Sequence, residues 1–230
     1  MKTIGFIGAF DKTDMILNVA KILTLTKKKI LIIDATILQR SRYIVPVINP
    51  TRSYITTFEE IDVAVGFESI EDIKKYLAIS SNEAFEYDIL LVDCDNIESF
   101  NAFELREAAI KYFVTSFGPY PLKRGVEILS EFRDVLPFKK VLFSRYMSNE
   151  EDEYLNFLTT ESKVNWEQDK VYFPHQEGDL HVNLENQMSE KISFKELSEG
   201  YKEAIAYLCE EILGNEKASS AEVRRVIRSL

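Results

Sequence analysis

Residues 4–13 read Ile-Gly-Phe-Ile-Gly-Ala-Phe-Asp-Lys-Thr, and this stretch decides the fold. An apolar strand over residues 2–7 runs into a short turn, and a helix over residues 12–26 follows with apolar side chains at helical spacing. The amides of a helix's first turn bind anions, so such a turn is a common phosphate site. Lys12 and Thr13 bring an ammonium and a hydroxyl to the same point.

The order of strand, loop, Lys-Thr and helix is that of the Walker A motif, GxxxxGK[ST]. Two positions of the motif are changed, because Phe6 and Asp11 stand where the pattern has glycines. The chain keeps the lysine and the hydroxyl but places a carboxylate where phosphates bind. The same residues also fit an ordinary helix start in an α/β protein, so the phosphate-loop interpretation depends on the rest of the chain.

Two later segments support that interpretation. Residues 30–34 and 87–93 read as buried strands, and they end in Asp34 and Asp93. Strands that are apolar throughout and alternate with helices predict an α/β fold, here a three-layer sandwich with a mostly parallel sheet. Acids at the carboxyl ends of such strands lie in the crevice where α/β proteins bind ligands.

With these segments, most of the chain resembles the MinD/ParA family of P-loop ATPases, whose deviant Walker A loop reads roughly KGGxGKT. Lys12 and Thr13 match the family's phosphate lysine and magnesium-binding hydroxyl. Asp34 matches the acid that closes the second strand, and Asp93 matches the Walker B acid. The resemblance therefore implies a magnesium site at Thr13, Asp34 and Asp93, occupied only when nucleotide binds.

The resemblance extends to the region that contacts the base. The strand over residues 139–145 places Ser144 where the family has an adenine-contacting asparagine, and Pro174 ends a late strand near the base. The complete set of implied nucleotide contacts is Gly8, Asp11, Lys12, Thr13, Asp34, Asp93, Ser144 and Pro174.

The departures from the family pattern are specific. Ile7 replaces the signature lysine that reaches a dimer partner's nucleotide, and Asp11 replaces a loop glycine. Thr36 stands where the family has the acid that orients water, and Ser144 replaces the adenine-contacting asparagine. These changes affect dimer coupling, loop geometry, water activation and base recognition, and together they favour a degenerate P-loop that does not hydrolyse ATP.

Asp11 has a direct physical consequence. Asp is a strong N-cap residue, so we expect its carboxylate to accept from the first amides of the helix and to contribute about 1 kcal/mol. Asp14 adds charge that the helix dipole favours. A carboxylate about 4 Å from a phosphate charge repels it by roughly 4 kcal/mol at an effective dielectric near 20. The sequence therefore predicts weak or absent binding of ATP and magnesium, with Asp11 acting as a built-in anion.

Composition bounds the location and the partners. The net charge of −10 argues against general nucleic-acid binding, because phosphate contacts dominate that affinity. We find no signal peptide and no apolar run of transmembrane length, and Cys94 and Cys209 lack metal or disulfide spacing. His175 and His181 read as exposed turn residues rather than as a metal site. We therefore expect a cytoplasmic protein with one main domain over residues 1–213.

Turn and helix signals predict the remaining segments. Residues 35–57 read as irregular. Arg40, Arg42 and Arg52 within them read as solvated loop charges, with a phosphate or partner contact as the alternative. Helices are predicted over residues 99–109, 122–136 and 193–213.

The C-terminus reads as a separate unit. Residues 214–220 predict a helix stop and a flexible linker, and residues 221–230 predict a short basic amphipathic helix. Three interpretations stay open: this helix binds a membrane peripherally, docks on a partner, or packs on its own domain. The residues for such a contact are Val223, Arg224, Arg225, Val226, Ile227, Arg228 and Leu230.

The resemblance implies a function in positioning other proteins. We expect a localisation or assembly factor for a cell-envelope machine such as a pilus, flagellum, secretion or division apparatus, with the TadZ/CpaE-like pilus-assembly branch as the specific hypothesis. The alternative is an active ATPase that uses an atypical loop. Ile7 disfavours a nucleotide-sandwich dimer and leaves a dimer through other surfaces open.

Overall fold

The computed structural model describes residues 1–47, 51–80, 85–214 and 217–230. These segments contain eight strands and eight α-helices. The strands are β1 (Lys2–Ile7), β2 (Ile30–Ala35), β3 (Tyr54–Phe58), β4 (Ile61–Val65), β5 (Ile89–Cys94), β6 (Ile110–Ser116), β7 (Leu136–Ser144) and β8 (Val164–Pro174). The helices are α1 (Thr13–Leu25), α2 (Ile70–Ser80), α3 (Ile97–Ala102), α4 (Pro119–Ser130), α5 (Asn149–Leu158), α6 (Glu177–Ser189), α7 (Glu199–Leu213) and α8 (Lys217–Ser229).

The strands form one sheet in the order β3-β4-β2-β5-β1-β6-β7-β8. Every neighbouring pair is parallel except β3 and β4. Alternate residues of β1 pack on opposite faces: Ile4 and Phe6 join a core with α1, α7 and α8, while Ile7 joins a core with α2, α3, α4 and α5. This confirms the predicted α/β sandwich with a mostly parallel sheet.

One strand was missed. Residues 54–58 form β3, which begins inside the segment 35–57 that was predicted to be irregular; residues 48–50 of that segment lie outside the described residues. A two-residue turn at Glu59 and Glu60 joins β3 to β4, with φ of 48° and 66°. Such hairpin turns normally carry Asn-Gly or Asp-Gly, so a Glu-Glu pair gives no hairpin signal.

Helix α6 was also missed, so the turn predicted for the histidines is wrong for His181; His175 lies in the exposed loop before α6, as predicted. His181 lies on α6 and pairs with Glu185 at 3.2 Å, one helical turn away. Asp179, on the same helix, is buried and accepts from the backbone N–H of Ser198 at 2.7 Å. The helix has an unusual pattern because its inward residues are polar, which hides its periodicity from a search for an apolar face.

Three predicted helix boundaries were wrong. Helix α4 starts at Pro119, at the first helical position where proline is well tolerated, and it ends at Ser130. The helix predicted over 99–109 stops at Ala102, and a 3₁₀ turn over 105–107 follows. The long helix predicted over 193–213 is divided, because Ser198 caps α7 by accepting from the Tyr201 N–H.

The C-terminal helix is longer than predicted and packs on the domain. It starts at Lys217, so the linker predicted to reach residue 220 is wrong from Lys217 onward; residues 215–216 lie outside the described segments. Val223 and Val226 are buried in the core shared with α1 and α7. Arg224 pairs with Glu203 and Glu210 of α7.

Of the three interpretations of the C-terminal helix, the structure shows the one in which the helix packs on its own domain. Arg225, Arg228 and Leu230 stay exposed, and Ile227 is half-buried against the core. Across the described segments, none of the helices combines the length and the apolar character needed to cross a bilayer.

Candidate functional site

Strand register brings the predicted site residues to one edge of the sheet. Asp34 and Asp93 are direct neighbours across β2 and β5, and Phe6 of β1 lies opposite Asp93. The loop from Gly8 to Lys12 leaves β1 beside these acids. Because the carboxyl ends of parallel strands meet here, the Walker-like loop and both acids share one crevice.

Gly8 fixes where the loop runs. Its φ is +139°, and a Cβ at this position would lie 2.2 Å from the carbonyl oxygen of Val114 in β6. The Gly8 N–H also donates to the Cys94 carbonyl at 3.0 Å. A side chain at Gly8 would therefore push the loop off the sheet.

Lys12 is buried and turned toward the acids. Its Nζ lies 2.6 Å from Asp93 Oδ1 and donates to the carbonyl of Gly8 at 2.7 Å. Burial raises the pKa of Asp93 to about 7, the Lys12 ammonium opposes that rise, and the Asp34 carboxylate adds to it. The phosphate lysine thus already has a carboxyl partner inside the protein.

Asp11 occupies the start of α1. Its Oδ1 accepts from the Thr13 N–H at 3.2 Å and from the Thr13 hydroxyl at 3.0 Å, and its Oδ2 accepts from Arg40 Nη1 at 2.7 Å. The N-cap position belongs to Lys12, so the predicted N-cap role of Asp11 was wrong by one residue. The carboxylate nevertheless binds the first helical amide and the hydroxyl that the family uses for magnesium.

Asp34 organises the next loop rather than facing solvent. Its Oδ1 accepts from the Thr36 N–H at 3.1 Å and from the Thr36 hydroxyl at 2.6 Å, and its Oδ2 accepts from the Ser41 N–H at 2.9 Å. These bonds hold the 36–41 segment over the crevice and bring Arg40 to Asp11. Arg40 is exposed, as expected of a loop charge, but its pairing with Asp11 was not predicted.

A cavity of about 180 Å³ lies between the two loops. Five predicted residues line it: Gly8, Asp11, Lys12, Thr13 and Asp93. Arg40, Asp95 and Tyr120 line it as well and were not predicted as site residues. Asp95 holds the facing loop because its Oδ1 accepts from the Ile37 N–H at 3.0 Å. The sequence could have indicated Asp95 as a site residue through its position two residues after Asp93.

Ser144 and Pro174 lie outside this cavity. Ser144 is buried, and its Oγ accepts from the N–H groups of Tyr146 and Met147 and donates to Glu151. Pro174 lines a smaller neighbouring cavity of about 50 Å³. Phe10 lines both cavities and packs on Phe143 with 4.5 Å between ring centroids. Phe10 and Asp11 therefore stand between Pro174 and the loop cavity, while Ser144 lines neither cavity.

Asp14 differs from its predicted role. Gln187 Nε2 of α6 lies 2.9 Å from both Asp14 oxygens. Burial raises the pKa of Asp14 to about 6, against the effect of the Gln187 hydrogen bond. The charge that the helix dipole would favour is penalised here because the group is removed from water.

The predicted magnesium ligands are engaged by protein groups. Thr13 Oγ1 donates to Asp11, both Asp34 oxygens accept hydrogen bonds, and Asp93 pairs with Lys12. A magnesium ion with its phosphates would have to displace these partners. Among the described residues, no group of three or more His, Cys, Asp or Glu side chains is placed to hold a metal. In this structure Thr13, Asp34 and Asp93 are therefore all bonded to other groups of the protein.

Comparison with known proteins gives a match by structure alone. No protein-family model matches the sequence, and no curated protein matches it. The structure is similar to a ParA family ATPase from Chlorobium tepidum, with a TM-score of 0.59 and 14% identity over 94% of this chain and 99% of that one.

Two further solved structures agree. A chain of the MinC:MinD cell division protein complex of Aquifex aeolicus has a TM-score of 0.54 and 14% identity, over 100% of this chain and 95% of that one. A Cyanothece McdA variant in complex with ATP has a TM-score of 0.56 and 12% identity, over 93% and 96%. The chain therefore has the α/β fold of the MinD/ParA family of P-loop ATPases.

Proposed function

We propose that this chain is a MinD/ParA-like protein that binds ATP and magnesium weakly or not at all and does not hydrolyse ATP. The observation that carries the proposal is the Asp11 carboxylate, bonded to the Thr13 N–H, the Thr13 hydroxyl and Arg40. A helix N-terminus, a hydroxyl and a guanidinium are the groups that would otherwise bind phosphate. Together with the Lys12–Asp93 pair, these bonds give the groups that would bind phosphate partners within the protein itself.

A protein of this kind acts through its surfaces. We propose that it is a cytoplasmic localisation or assembly factor for a cell-envelope machine, with the TadZ/CpaE-like pilus-assembly branch as the specific hypothesis and peripheral membrane contact as part of it. One supporting observation is that a structurally similar chain belongs to the MinC:MinD cell division protein complex, in which a fold of this type holds a protein partner.

A working ATPase is the second candidate, and one observation favours it. The cavity is still present, and Lys12, Thr13 and Asp93 line it. A structurally similar protein, the McdA variant, was solved with ATP. In this candidate, nucleotide would exchange the Lys12–Asp93 and Asp11–Arg40 pairs for contacts with phosphate.

Phosphate release with saturating magnesium and ATP separates the two candidates. The control is Thr13→Val, which keeps the side-chain shape and removes the hydroxyl that the family uses for magnesium. We expect wild type and Thr13→Val to release phosphate at the same background rate. A wild-type rate well above that of Thr13→Val would replace the proposal with the ATPase candidate.

The localisation role has its own test. A fluorescent fusion of wild type and of Thr13→Val, imaged in the native cells, should concentrate at the same discrete position. If the Thr13→Val fusion spreads through the cell while wild type does not, localisation depends on nucleotide, and the scaffold interpretation fails.

A further inference from the structure

Helix α6 buries polar residues and exposes apolar residues, which is the opposite of the usual arrangement in a surface helix. Asp179, Asn183 and Asn186 are buried, whereas Leu180, Leu184 and Met188 are 52%, 54% and 79% exposed. A surface helix normally turns its apolar stripe toward the core. Here the exposed stripe has the spacing i, i+4 and i+8 and runs about 12 Å along the helix.

The buried side of α6 is held by hydrogen bonds. Gln187 binds the Asp14 carboxylate of α1 at 2.9 Å, and Asp179 accepts from the N–H and hydroxyl of Ser198, ahead of α7. Asn186 accepts from the Ser193 N–H at 3.0 Å. These bonds fix the rotation of α6 about its axis, so the apolar stripe is held outward by the fold.

The charge around the stripe identifies the complementary surface. Helix α6 contains no lysine or arginine, and Glu177 and Glu185 are exposed on it, with Glu185 paired to the exposed His181. Exposed Glu190 and Lys191 follow the end of the helix. Contiguous exposed apolar side chains with a polar rim mark protein interaction sites. An acidic rim around a straight apolar ridge is complementary to a second helix with an apolar ridge and a basic rim.

We propose that the α6 ridge, formed by Leu180, Leu184 and Met188, docks a basic amphipathic helix of a partner protein. The chain's own basic amphipathic helix, α8, does not supply this occupant, because Val223 and Val226 of its apolar face are buried against α1 and α7. Met188 suits such a surface because its flexible thioether adapts to varied apolar partners.

The test uses a defined probe and the full chain. The probe is a fluorescent leucine–lysine peptide of about 18 residues, long enough to form an amphipathic helix. Its comparison is the leucine–glutamate peptide with the same apolar face. We expect saturable binding of the leucine–lysine peptide by fluorescence anisotropy, weakened about tenfold to a hundredfold by Leu184→Ser, since a buried leucine side chain is lost from the contact.

A matched control distinguishes peptide binding at the ridge from attraction of the peptide to any acidic part of the surface. Phe157 is 74% exposed on α5, which carries Glu150, Glu151 and Asp152 in its first turn, so Phe157→Ser removes an exposed apolar side chain beside acids elsewhere. It should leave the affinity unchanged. Circular dichroism should show the same melting temperature for Leu184→Ser and wild type, because Leu184 is half exposed.

Several results would overturn the proposal. They are the absence of saturable binding, equal binding of the leucine–glutamate peptide, and equal weakening by Leu184→Ser and Phe157→Ser. Concentration-dependent self-association abolished by Leu184→Ser would assign the ridge to a second copy of this chain. Loss of binding to phosphatidylglycerol vesicles in the same variant would assign it to lipid. The phosphate-release assay and the peptide titrations test different surfaces, so either can fail alone.

Discussion

Asp11→Asn tests the built-in anion with a minimal change. Asparagine keeps the size of the side chain and an oxygen that can accept from the Thr13 N–H, now bonded at 3.2 Å, and from the Thr13 hydroxyl. The substitution removes the negative charge and with it the ionic part of the contact to Arg40. We expect the variant to bind ATP and magnesium more tightly than wild type does.

The geometry sets the size of the effect. A carboxylate about 4 Å from one phosphate charge repels it by roughly 4 kcal/mol at an effective dielectric near 20. The Asp11 side chain is 37% exposed and pairs with Arg40, which is 54% exposed, so water and the guanidinium both screen this repulsion. A remaining penalty of about 1.4 to 3 kcal/mol corresponds to an affinity gain of about tenfold to a hundredfold.

Isothermal titration calorimetry with ATP and magnesium measures this difference directly. The matched control is Asp134→Asn, because Asp134 pairs with Arg106 at 2.6 Å and precedes β7, at the edge of the sheet opposite the cavity. This control should titrate like wild type. Equal affinities for wild type and Asp11→Asn would refute the proposed role of the Asp11 charge.

Three further substitutions test the surroundings of the site. Asp14→Asn should raise the free energy of unfolding by up to about 3 kcal/mol at about pH 7 and hardly at all at about pH 4. The folded-state pKa of about 6 exceeds the ordinary value of 3.8, so ionisation of Asp14 destabilises the wild type only as pH rises through this interval. Urea unfolding of both proteins at both pH values measures the difference. Gly8→Ala should lower the melting temperature and cost at least about 2 kcal/mol, because its Cβ would lie 2.2 Å from the Val114 carbonyl oxygen at a φ of +139°. Val223→Asp should cost about 3 kcal/mol or more and detach α8, which limited trypsin digestion would detect as cleavage at the arginines of the tail.

Two of these substitutions have a matched control. Gly178→Ala in α6 meets no atom within 4 Å and should leave the melting temperature unchanged or higher, since alanine favours helix. Leu230→Asp changes an exposed residue at the end of the chain and should leave the trypsin pattern as in wild type. A pH dependence of unfolding in Asp14→Asn identical to that of wild type would show that Asp14 ionises normally in the folded protein.

The sheet was predictable because its strands are continuously apolar. Residues 30–34 and 89–93 are buried throughout, so their composition identifies them without any knowledge of their neighbours. Strand β3 was missed although Tyr54–Phe58 consists entirely of β-branched and aromatic residues, which favour strands. What the sequence lacks is a hairpin signal, because Glu59 and Glu60 take positive φ angles where Asn-Gly or Asp-Gly is usual, and Glu59 pairs with Lys21 at 2.7 Å. Local sequence carries little information about a turn that is stabilised from outside.

The site was predictable in position more than in detail. The acid-terminated strands and the Lys-Thr pair locate the crevice, and Lys12, Thr13 and Asp93 line its cavity. The pairing of Asp11 with Arg40 was not predictable, because 28 residues of chain separate the two and the Asp34 hydrogen bonds bring them together. Helix α6 escaped prediction because hydrogen bonds, rather than an apolar stripe, attach it to the domain.

The structure of the wild-type protein crystallised with excess ATP and magnesium tests the central claim most directly. We predict that Lys12 stays paired with Asp93 and that Asp11 stays bonded to Thr13 and Arg40, at distances near those seen here, with no ordered triphosphate in the cavity. An ordered ATP–magnesium complex that contacts the Lys12 ammonium and the Thr13 hydroxyl, with Asp11 turned away, would contradict the account.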